Sequence, residues 1–360
     1  MKYLSEYRNF EATKIVLEEI EKTITKPWNI MEICGGQTHG LVKNGILELL
    51  PEKVRMIHGP GCPVCVTPLH LIDKAIELLE KGVIVCSFGD MIRVPGSKKS
   101  LLEAKAEGGD LRILYSPLEA VNIAKQNPGK EVVFFAVGFE TTAPANALSV
   151  LHAQKEGLRN YSILVSHVLV PPAMEAILAD EFSSIDAFLG AGHVCAIMGY
   201  NEYHPLSEKY KVPIVITGFE PLDLVQGILL AVKQLEKGIY EVENQYARVV
   251  KEEGNTSAIN VIQTVFEVGD REWRGIGKIP NSGYVLRKEF EHFDAEKRFE
   301  IEKIMVPENE QCIAGEILKG IKKPNQCSEF GKTCTPANPL GAPMVSSEGA
   351  CAAYYHFSAV

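Results

Sequence analysis

The chain has no dense cluster of basic residues and no long apolar run, and both absences narrow its class. Its 360 residues carry a formal net charge of −9, which argues against general binding of nucleic acid or of an anionic membrane. No stretch approaches the length of a membrane span. The acidic N-terminal segment lacks the apolar core of a secretory signal. We therefore expect a cytoplasmic protein with neither a nucleic-acid nor a membrane partner.

The chain also lacks the paired motifs of a structural zinc site. One C-x2-C step is present, at Cys62 and Cys65, and neither a second step nor an H-x3-H pair completes it. The chain nevertheless contains nine cysteines. Because structural disulfides are rare in the reducing cytoplasm, this number favours metal ligands or catalytic thiols.

The composition and the apolar pattern predict an α/β fold. Hydrophobic residues make up 46% of the chain and charged residues 23%, which is typical of a globular protein with a sizeable core. Short apolar, β-rich runs alternate with helical stretches, and this alternation predicts parallel sheets. The predicted strands are residues 29–34, 54–59, 82–88, 111–116, 131–139, 161–168, 185–191 and 212–219.

Helical patterns begin at the N-terminus, where residues 1–26 have the period of an amphipathic helix. Its predicted apolar face consists of Ile15, Val16, Leu17, Ile20 and Ile24. Further helices are predicted over residues 68–82 and 144–157, and a long helix ends near residue 238. Beyond it the pattern changes to strand-like runs with turns over residues 258–290.

Two stretches of the α/β region resemble each other. Residues 134–144 and 214–223 both have the pattern of a strand, a Gly-Phe-Glu triplet and a turn into a helix. Duplication of one α/β unit would explain the repeat. The length of the chain suggests two or three domains. We predict an α/β domain over residues 27–118, a second α/β domain over residues 119–238 and a cysteine-bearing region over residues 239–360.

Cys34 begins the first chemically suggestive motif, Cys-Gly-Gly-Gln-Thr-His, directly after a predicted strand. Open α/β sheets bind ligands at the carboxyl ends of their strands, and glycines let another group approach the backbone closely. His39 could tune the thiol or act as an acid or base. The alternative is a buried cysteine followed by an ordinary turn.

Cys62 and Cys65 lie in a second motif, Gly-Pro-Gly-Cys-Pro-Val-Cys, which also follows a predicted strand directly. Their spacing is that of a thiol–disulfide couple, in which one thiolate attacks and its neighbour resolves. It also matches half of a zinc site. Because no second half is present, redox chemistry or iron binding is favoured, and a purely structural pair is the alternative.

A third group of cysteines has the spacing C-x14-C-x6-C-x16-C in a tail punctuated by proline and glycine. Its members are Cys312, Cys327, Cys334 and Cys351. Four thiolates satisfy either Zn²⁺ or a [4Fe–4S] cluster. Zinc ribbons and fingers usually pair ligands two to four residues apart, so the irregular spacing favours the cluster. The remaining cysteines of apolar runs, Cys86 and Cys195, are predicted to be core residues.

Glu140 lies in the segment Gly-Phe-Glu-Thr-Thr-Ala-Pro at a predicted strand end. Its carboxyl group could bind a ligand or relay protons. The same residues would also serve as a helix N-terminal cap. His167 and His193, at or near strand ends, are each more often structural than catalytic in such positions.

Taken together, these motifs carry a family resemblance. CGGQTH, GPGCPVCVTP, GFETTAP and the tail CTPANPLGAPMVSSEGACAAYY resemble those of the nickel–iron hydrogenase maturation factor HypD family, from about residue 30 to the C-terminus. The resemblance implies a cytoplasmic iron–sulfur protein with two related α/β domains and a cluster domain. With the small partner HypC it implies a scaffold on which the Fe(CN)2CO group is built, using cyanide donated by HypE.

The resemblance also implies roles for individual residues. Cys34 corresponds to a ligand of the iron under construction, shared with a cysteine of HypC. Cys62 and Cys65 correspond to a redox-active pair, whereas His39 and Glu140 fall in the family's cleft motifs. The four tail cysteines correspond to the ligands of the [4Fe–4S] cluster.

At one position the chain departs from the family pattern. Many relatives carry a further cysteine in the Gly-Ala-x-Met stretch, where this chain has Pro343. The tail therefore has no spare thiol. A cluster with four cysteine ligands in the tail must use every one of them.

The motifs together suggest a mechanism and leave two rivals. We expect the cluster to feed electrons to the Cys62–Cys65 disulfide, whose thiolates, with Cys34, help to hold or reduce the iron. This requires the tail and the C-x2-C loop to meet in space. The rivals are a stand-alone thiol–disulfide oxidoreductase that acts on protein substrates, and a zinc-bearing scaffold without a redox role.

Overall fold

The computed structural model describes residues 6–301 and 307–358 and has a mixed α/β fold with two parallel sheets. The strands are β1 (Trp28–Glu32), β2 (Val54–His58), β3 (Ile84–Ser87), β4 (Leu111–Ile113), β5 (Val132–Gly138), β6 (Tyr161–His167), β7 (Ala187–Ala191), β8 (Ile214–Thr217), β9 (Val242–Asn244), β10 (Phe266–Trp273) and β11 (Gly277–Leu286). Each of the eight strands predicted from the sequence is confirmed, as β1 to β8.

Helices connect most of the strands and also form the tail. The α-helices are α1 (Phe10–Thr23), α2 (Gly35–Lys43), α3 (Ile46–Leu49), α4 (Pro63–Val66), α5 (Leu69–Glu80), α6 (Leu101–Ala106), α7 (Pro117–Gln126), α8 (Ala143–Lys155), α9 (Val170–Leu178), α10 (Gly192–Met198), α11 (Tyr203–Tyr210), α12 (Pro221–Lys237), α13 (Thr256–Val265), α14 (Ala295–Arg298), α15 (Ala314–Leu318) and α16 (Ala350–Phe357). Short 3₁₀ helices lie at Met91–Arg93, Lys288–Phe293, Pro324–Gln326 and Ala342–Met344. None of the described helices combines the length and the apolar character needed to cross a membrane.

The two parallel sheets divide the chain unevenly. The first sheet has the strand order β2-β1-β7-β8-β9, and the second has the order β4-β3-β5-β6. The chain starts in the first sheet, leaves it to build the second, and returns for β7 to β9. Every residue of β5 and β6 is buried, as expected for parallel strands covered on both faces.

This division differs from the segments expected from the sequence. The predicted boundary between residues 118 and 119 falls inside the second sheet, between β4 and β5. The region predicted over residues 239–360 begins by adding β9 to the first sheet. Apolar runs identify strands by their burial, but they carry no information about which strand becomes the neighbour. The predicted segments therefore do not correspond to the sheets.

Each sheet has a point at which the direction of winding reverses. In the first sheet the chain runs from β1 to β2 on one side, whereas β7, on the other side of β1, leads to β8. In the second sheet the reversal lies between β3 and β5. Ligands of open α/β sheets bind at the carboxyl ends of the strands at such a point. Cys34 follows β1 and therefore lies at the reversal point of the first sheet.

The C-terminal third combines a hairpin with the cysteine tail. Strands β10 and β11 pair in antiparallel fashion, and the hairpin joins the end of β6 through a hydrogen bond from the Leu169 N–H to the Ser282 carbonyl oxygen, at 2.8 Å. The beginning of the segment that we predicted to be strand-like forms helix α13 instead. Its β-branched residues suggest a strand, but Asn255 caps the helix, and Ile262 and Val265 are buried one turn apart.

The N-terminal helix is shorter than the predicted span of residues 1–26. It begins at Phe10, because the side chain of Asn9 caps it by accepting a hydrogen bond from a backbone N–H of the first turn. Residues 1–5 lie outside the described part of the chain. The helix packs on α12, with Ile20 and Ile24 buried, but Ile15 is 66% exposed and does not belong to the apolar face.

The buried Ile20 and the exposed Ile15 provide a matched test of the packing of α1. We expect Ile20→Ala to lower the free energy of unfolding by about 2–4 kcal/mol, because it removes a fully buried side chain and leaves a cavity. Ile15→Ala should change it by less than about 0.5 kcal/mol. Urea denaturation followed by circular dichroism measures both values. Equal effects of the two substitutions would contradict the packing described here.

Candidate functional site

Cys34 lies between strand β1 and helix α2, against the loop that carries the second cysteine motif. The Gly35 N–H donates a hydrogen bond of 2.8 Å to the carbonyl oxygen of Gly61. A Cβ atom on Gly61 would collide with the backbone of Cys34, and one on Gly35 would collide with Glu348 of the tail. The close approach expected from the glycines is therefore present. It brings two cysteine motifs and the tail together.

The Cys34 thiol is partly buried and strongly biased towards its protonated form. The pKa of Cys34 is raised to about 12, first by burial and then by the nearby carboxylate of Glu348, against backbone N–H groups that lower it. Near neutral pH the sulfur therefore carries a proton. A metal ion that binds this sulfur must displace that proton, because the thiolate is the form that ligates metals.

His39 lies one turn into α2 and is engaged by the tail. Its Nδ1 atom is 3.2 Å from the carbonyl oxygen of Ser347, and its ring meets that of Phe357 edge to face at 5.2 Å. Helix α16 packs along α2. These contacts make His39 part of the surface on which the tail docks.

Cys62 and Cys65 form a disulfide that is almost completely buried. Cys62 is 3% exposed and Cys65 is 1% exposed, and both lie in a core shared with Ala342 and Val345 of the tail. Cys62 also caps α4, since its sulfur accepts a hydrogen bond from the Cys65 N–H at 3.2 Å. The predicted pairing of these cysteines is therefore present in the structure.

The four cysteines of the tail line a single cavity, together with Pro343 and Met344. They are Cys312, Cys327, Cys334 and Cys351. Burial raises the pKa of Cys351, and proximity to the other three thiols raises it further. A Cβ atom on Gly341 would collide with the sulfur of Cys312, so a side chain at this position would displace that thiol. Among the described residues, no three His, Cys, Asp or Glu side chains are arranged to hold a single metal ion.

One stretch of the tail, residues 342–348, contributes to the surroundings of all three groups of cysteines. We call it the tail strap. Pro343 and Met344 line the cysteine cavity, Ala342 and Val345 belong to the buried core that contains the disulfide, and Glu348 abuts Gly35 beside Cys34.

The tail strap also reaches the carboxyl end of β3 in the second sheet. The Ser346 hydroxyl donates to the carboxylate of Asp90 at 2.9 Å, and Arg93 donates to the Val345 carbonyl oxygen at 3.1 Å. The strap therefore joins the carboxyl ends of both sheets.

Glu140 is buried away from the cysteines at the end of β5. It is 2% exposed, and its Oε1 atom accepts a hydrogen bond of 2.9 Å from the Val170 N–H at the start of α9. Its Oε2 atom has no hydrogen-bond partner among the described residues. Burial raises the pKa of Glu140 to about 8, so the carboxyl group is largely protonated at neutral pH. The sequence analysis offered a helix-capping role as the structural alternative. Glu140 has that role at the start of α9, and not at α8, the helix that directly follows it in the sequence.

The two histidines noted in the sequence differ in their surroundings. His167 is fully buried beside the side chain of Asn146, and burial lowers its pKa to about 3, so its ring is neutral. His193 stacks on Phe219 with ring centroids 3.8 Å apart, and Phe219 lies against Gly36 at the start of α2. His193 therefore borders the Cys34 loop. Cys86 and Cys195 are fully buried, as predicted.

A buried polar network next to Cys34 was not found by sequence reasoning. Glu32, which is fully buried, accepts hydrogen bonds from the Cys34 N–H at 3.2 Å and from the Thr38 hydroxyl. His58 lies 2.8 Å from Glu32 through Nδ1 and 2.9 Å from the Tyr354 hydroxyl through Nε2. The available signal was a charged or polar residue within each of two apolar strands, in NIMEIC and VRMIHG.

The raised pKa of Cys34 predicts a distinct pH dependence of its reactivity. Below a pKa of about 12, the thiolate fraction rises about tenfold with each pH unit, whereas an unperturbed thiol levels off above its pKa of about 8.5. We expect the rate of iodoacetamide labelling at Cys34 to rise throughout the range from about pH 7 to about pH 10. Peptide mapping by mass spectrometry measures it, with free glutathione as the reference thiol. A plateau at the same pH as glutathione would contradict the prediction.

Comparison with known proteins gives a consistent match along the whole chain. The family model HypD, described as "Hydrogenase formation hypA family", matches residues 11–358. The chain is 48% identical to the hydrogenase expression/formation protein HupD of Azotobacter chroococcum and 48% identical to the hydrogenase maturation factor HypD of Azotobacter vinelandii, with 99% of this chain and 97% of each relative covered. It is 44% identical to HypD of Escherichia coli, with 99% and 98% covered. With the cysteine motifs at one junction of the fold and these matches along its length, the chain belongs to the HypD family of hydrogenase maturation factors.

Proposed function

We propose that this protein is the scaffold on which, together with the small partner HypC, the Fe(CN)2CO group of nickel–iron hydrogenase is built. The observation that carries the proposal is the tail strap, which lines the cysteine cavity, shares a buried core with the disulfide and abuts the Cys34 loop. A protein that binds iron and also changes the oxidation state of that iron needs its iron ligand and its redox groups close together. HypE is the expected cyanide donor, by resemblance to the family.

The iron under construction is the substrate, and Cys34 is its proposed ligand. Cys34 lies at the reversal point of the first sheet, the usual ligand-binding edge of such a fold. Its thiol releases a proton when iron binds, because burial holds its pKa far above neutral. A cysteine of HypC is the second proposed protein ligand, so the iron would be shared between the two proteins.

The tail cysteines suit a [4Fe–4S] cluster better than a zinc ion. Thiolates around one zinc ion lie about 2.3 Å from the metal and therefore within about 4 Å of one another. Among the described residues no such close group exists, although the four thiols surround one cavity. In a cubane each thiolate binds a different iron, which suits a wider arrangement. When bound, the cluster supplies one-electron transfer.

The Cys62–Cys65 disulfide is the proposed internal redox couple. Its reduction takes up two electrons and two protons and yields two thiols. The tail strap belongs to both surroundings, since Ala342 and Val345 lie in the buried core that contains the disulfide, and Pro343 and Met344 line the cysteine cavity. The reading as a stand-alone oxidoreductase is disfavoured, because a disulfide this deeply buried offers no surface to the thiol of a protein substrate.

The cluster assignment predicts the metal content of the protein. Anaerobically purified protein should be brown and contain about four irons per chain. Cys351→Ala should lose most of this iron, because no spare thiol remains in the tail. Cys86→Ala is the matched control, since Cys86 is buried in β3, away from the cavity, and the variant should keep its iron. Elemental analysis that finds one zinc and no iron would reject the assignment.

The role of Cys34 is tested in the complex with HypC. Infrared spectra of the anaerobic complex should contain stretching bands of iron-bound cyanide and carbonyl. Cys34→Ala should abolish these bands, because it removes the sulfur that holds the iron, while Cys86→Ala should keep them. Bands of unchanged intensity in the Cys34→Ala complex would remove Cys34 as the ligand.

A further inference from the structure

The buried carboxylate of Glu32 forms the centre of a network that reaches both Cys34 and the tail. Glu32 is the last residue of β1, and it pairs in register with His58 at the end of β2. Parallel neighbours in register direct their side chains to the same face of the sheet. At this carboxyl edge Glu32 and His58 therefore meet side by side, and both are buried.

No lysine or arginine within the described ranges pairs with Glu32, so its oxygens depend on the backbone, hydroxyl and imidazole donors around it. A buried carboxylate is tolerated only when hydrogen bonds satisfy its oxygens. The Cys34 N–H donates to Oε2 at 3.2 Å, and the Thr38 hydroxyl and His58 Nδ1 converge on Oε1. Two of these donors belong to the first turn of α2, so Glu32 fixes that turn and with it the backbone of Cys34.

His58 connects Glu32 to the tail, because its two ring nitrogens contact Glu32 and Tyr354. One tautomer satisfies both of its ring nitrogens: Nδ1–H donates to Glu32, and Nε2 accepts from the Tyr354 hydroxyl at 2.9 Å. The two rings also meet edge to face, with centroids 5.3 Å apart. Tyr354 follows Cys351 by about one turn of α16. A continuous hydrogen-bonded chain therefore runs from the helix that bears Cys351 to the backbone of Cys34.

We propose that Glu32, Thr38, His58 and Tyr354 are positioning residues that hold the Cys34 thiol in its enclosed position and tie that position to the docking of helix α16. Their importance for iron assembly rests on the role proposed above for Cys34. The positioning itself is a property of the protein alone. It is measurable as the rate at which Cys34 becomes accessible to a small reagent.

The test measures iodoacetamide labelling of Cys34 in the full-length protein at one fixed pH, by peptide mapping. Thr38→Val removes the hydroxyl that binds Glu32 and keeps the shape of the side chain, and Tyr354→Phe removes the hydroxyl that binds His58. Each change removes one buried hydrogen bond, so the enclosed state loses stability relative to open ones. We expect each variant to label Cys34 about fivefold faster than the unmodified protein.

Two further variants separate positioning from general destabilisation. Thr38→Ser keeps the hydroxyl but loses a buried methyl group, so it should label at the original rate although it is less stable than the unmodified protein. Tyr161→Phe removes a hydroxyl that bonds Ser149 at 2.8 Å in the core of the second sheet. It loses a comparable hydrogen bond, and the labelling rate of Cys34 should not change.

The labelling rates show whether the four residues position Cys34 or only contribute to the overall stability of the fold. Rates for Thr38→Val and Tyr354→Phe that are unchanged or lower than the original would overturn the proposal. An equal rise in Thr38→Ser or Tyr161→Phe would do the same, because it would make the effect one of stability. The assay contains no iron unit and no HypC, so its result is independent of whether Cys34 ligates iron. Failure of the proposed function would be seen in the infrared experiment or the elemental analysis, and not in this assay.

Discussion

The close approach of three backbone segments around Cys34 is the constraint on which the site depends. Gly61 lies against the backbone of Cys34, and Gly35 lies against Glu348, at distances that leave no room for a Cβ atom. Glycine is the only residue that allows such contacts. They bring the disulfide loop and the tail to the carboxyl end of β1, where an open α/β sheet offers its ligand-binding edge. Without them, the cysteine motifs would belong to separate surfaces.

Burial also determines the protonation state of the thiols near Cys34 and in the tail. The thiols of Cys34 and Cys351 are held protonated because their pKa values are raised, chiefly by removal from water. Metal binding at either sulfur is therefore coupled to the release of protons. The disulfide is enclosed in the same way, with Cys62 3% exposed and Cys65 1% exposed. Such deep burial leaves the disulfide poorly placed for exchange with external thiols.

The two Gly-Phe-Glu segments share their local structure, a strand followed by a turn and a helix. Their positions in the two sheets and their contacts differ. Gly138 ends β5, at the reversal point of the second sheet, whereas Gly218 follows β8, which is not a strand of the reversal point in its own sheet. Glu140 is buried and caps α9, while Glu220 forms an ion pair with Arg8 of the N-terminal segment. The same triplet therefore serves different purposes, because the strands around it differ.

The sequence alone determined strands β1 to β8, the burial of Cys86 and Cys195, and the three groups of cysteines, since these depend on local periodicity, composition and motif spacing. Tertiary structure decided which strands became neighbours, as when β1 pairs with β7 far along the chain. It also directed His39 to the tail and assembled the Glu32 network from two strands and two helices. Such contacts depend on the packing of distant segments, and no pattern within any one segment encodes them.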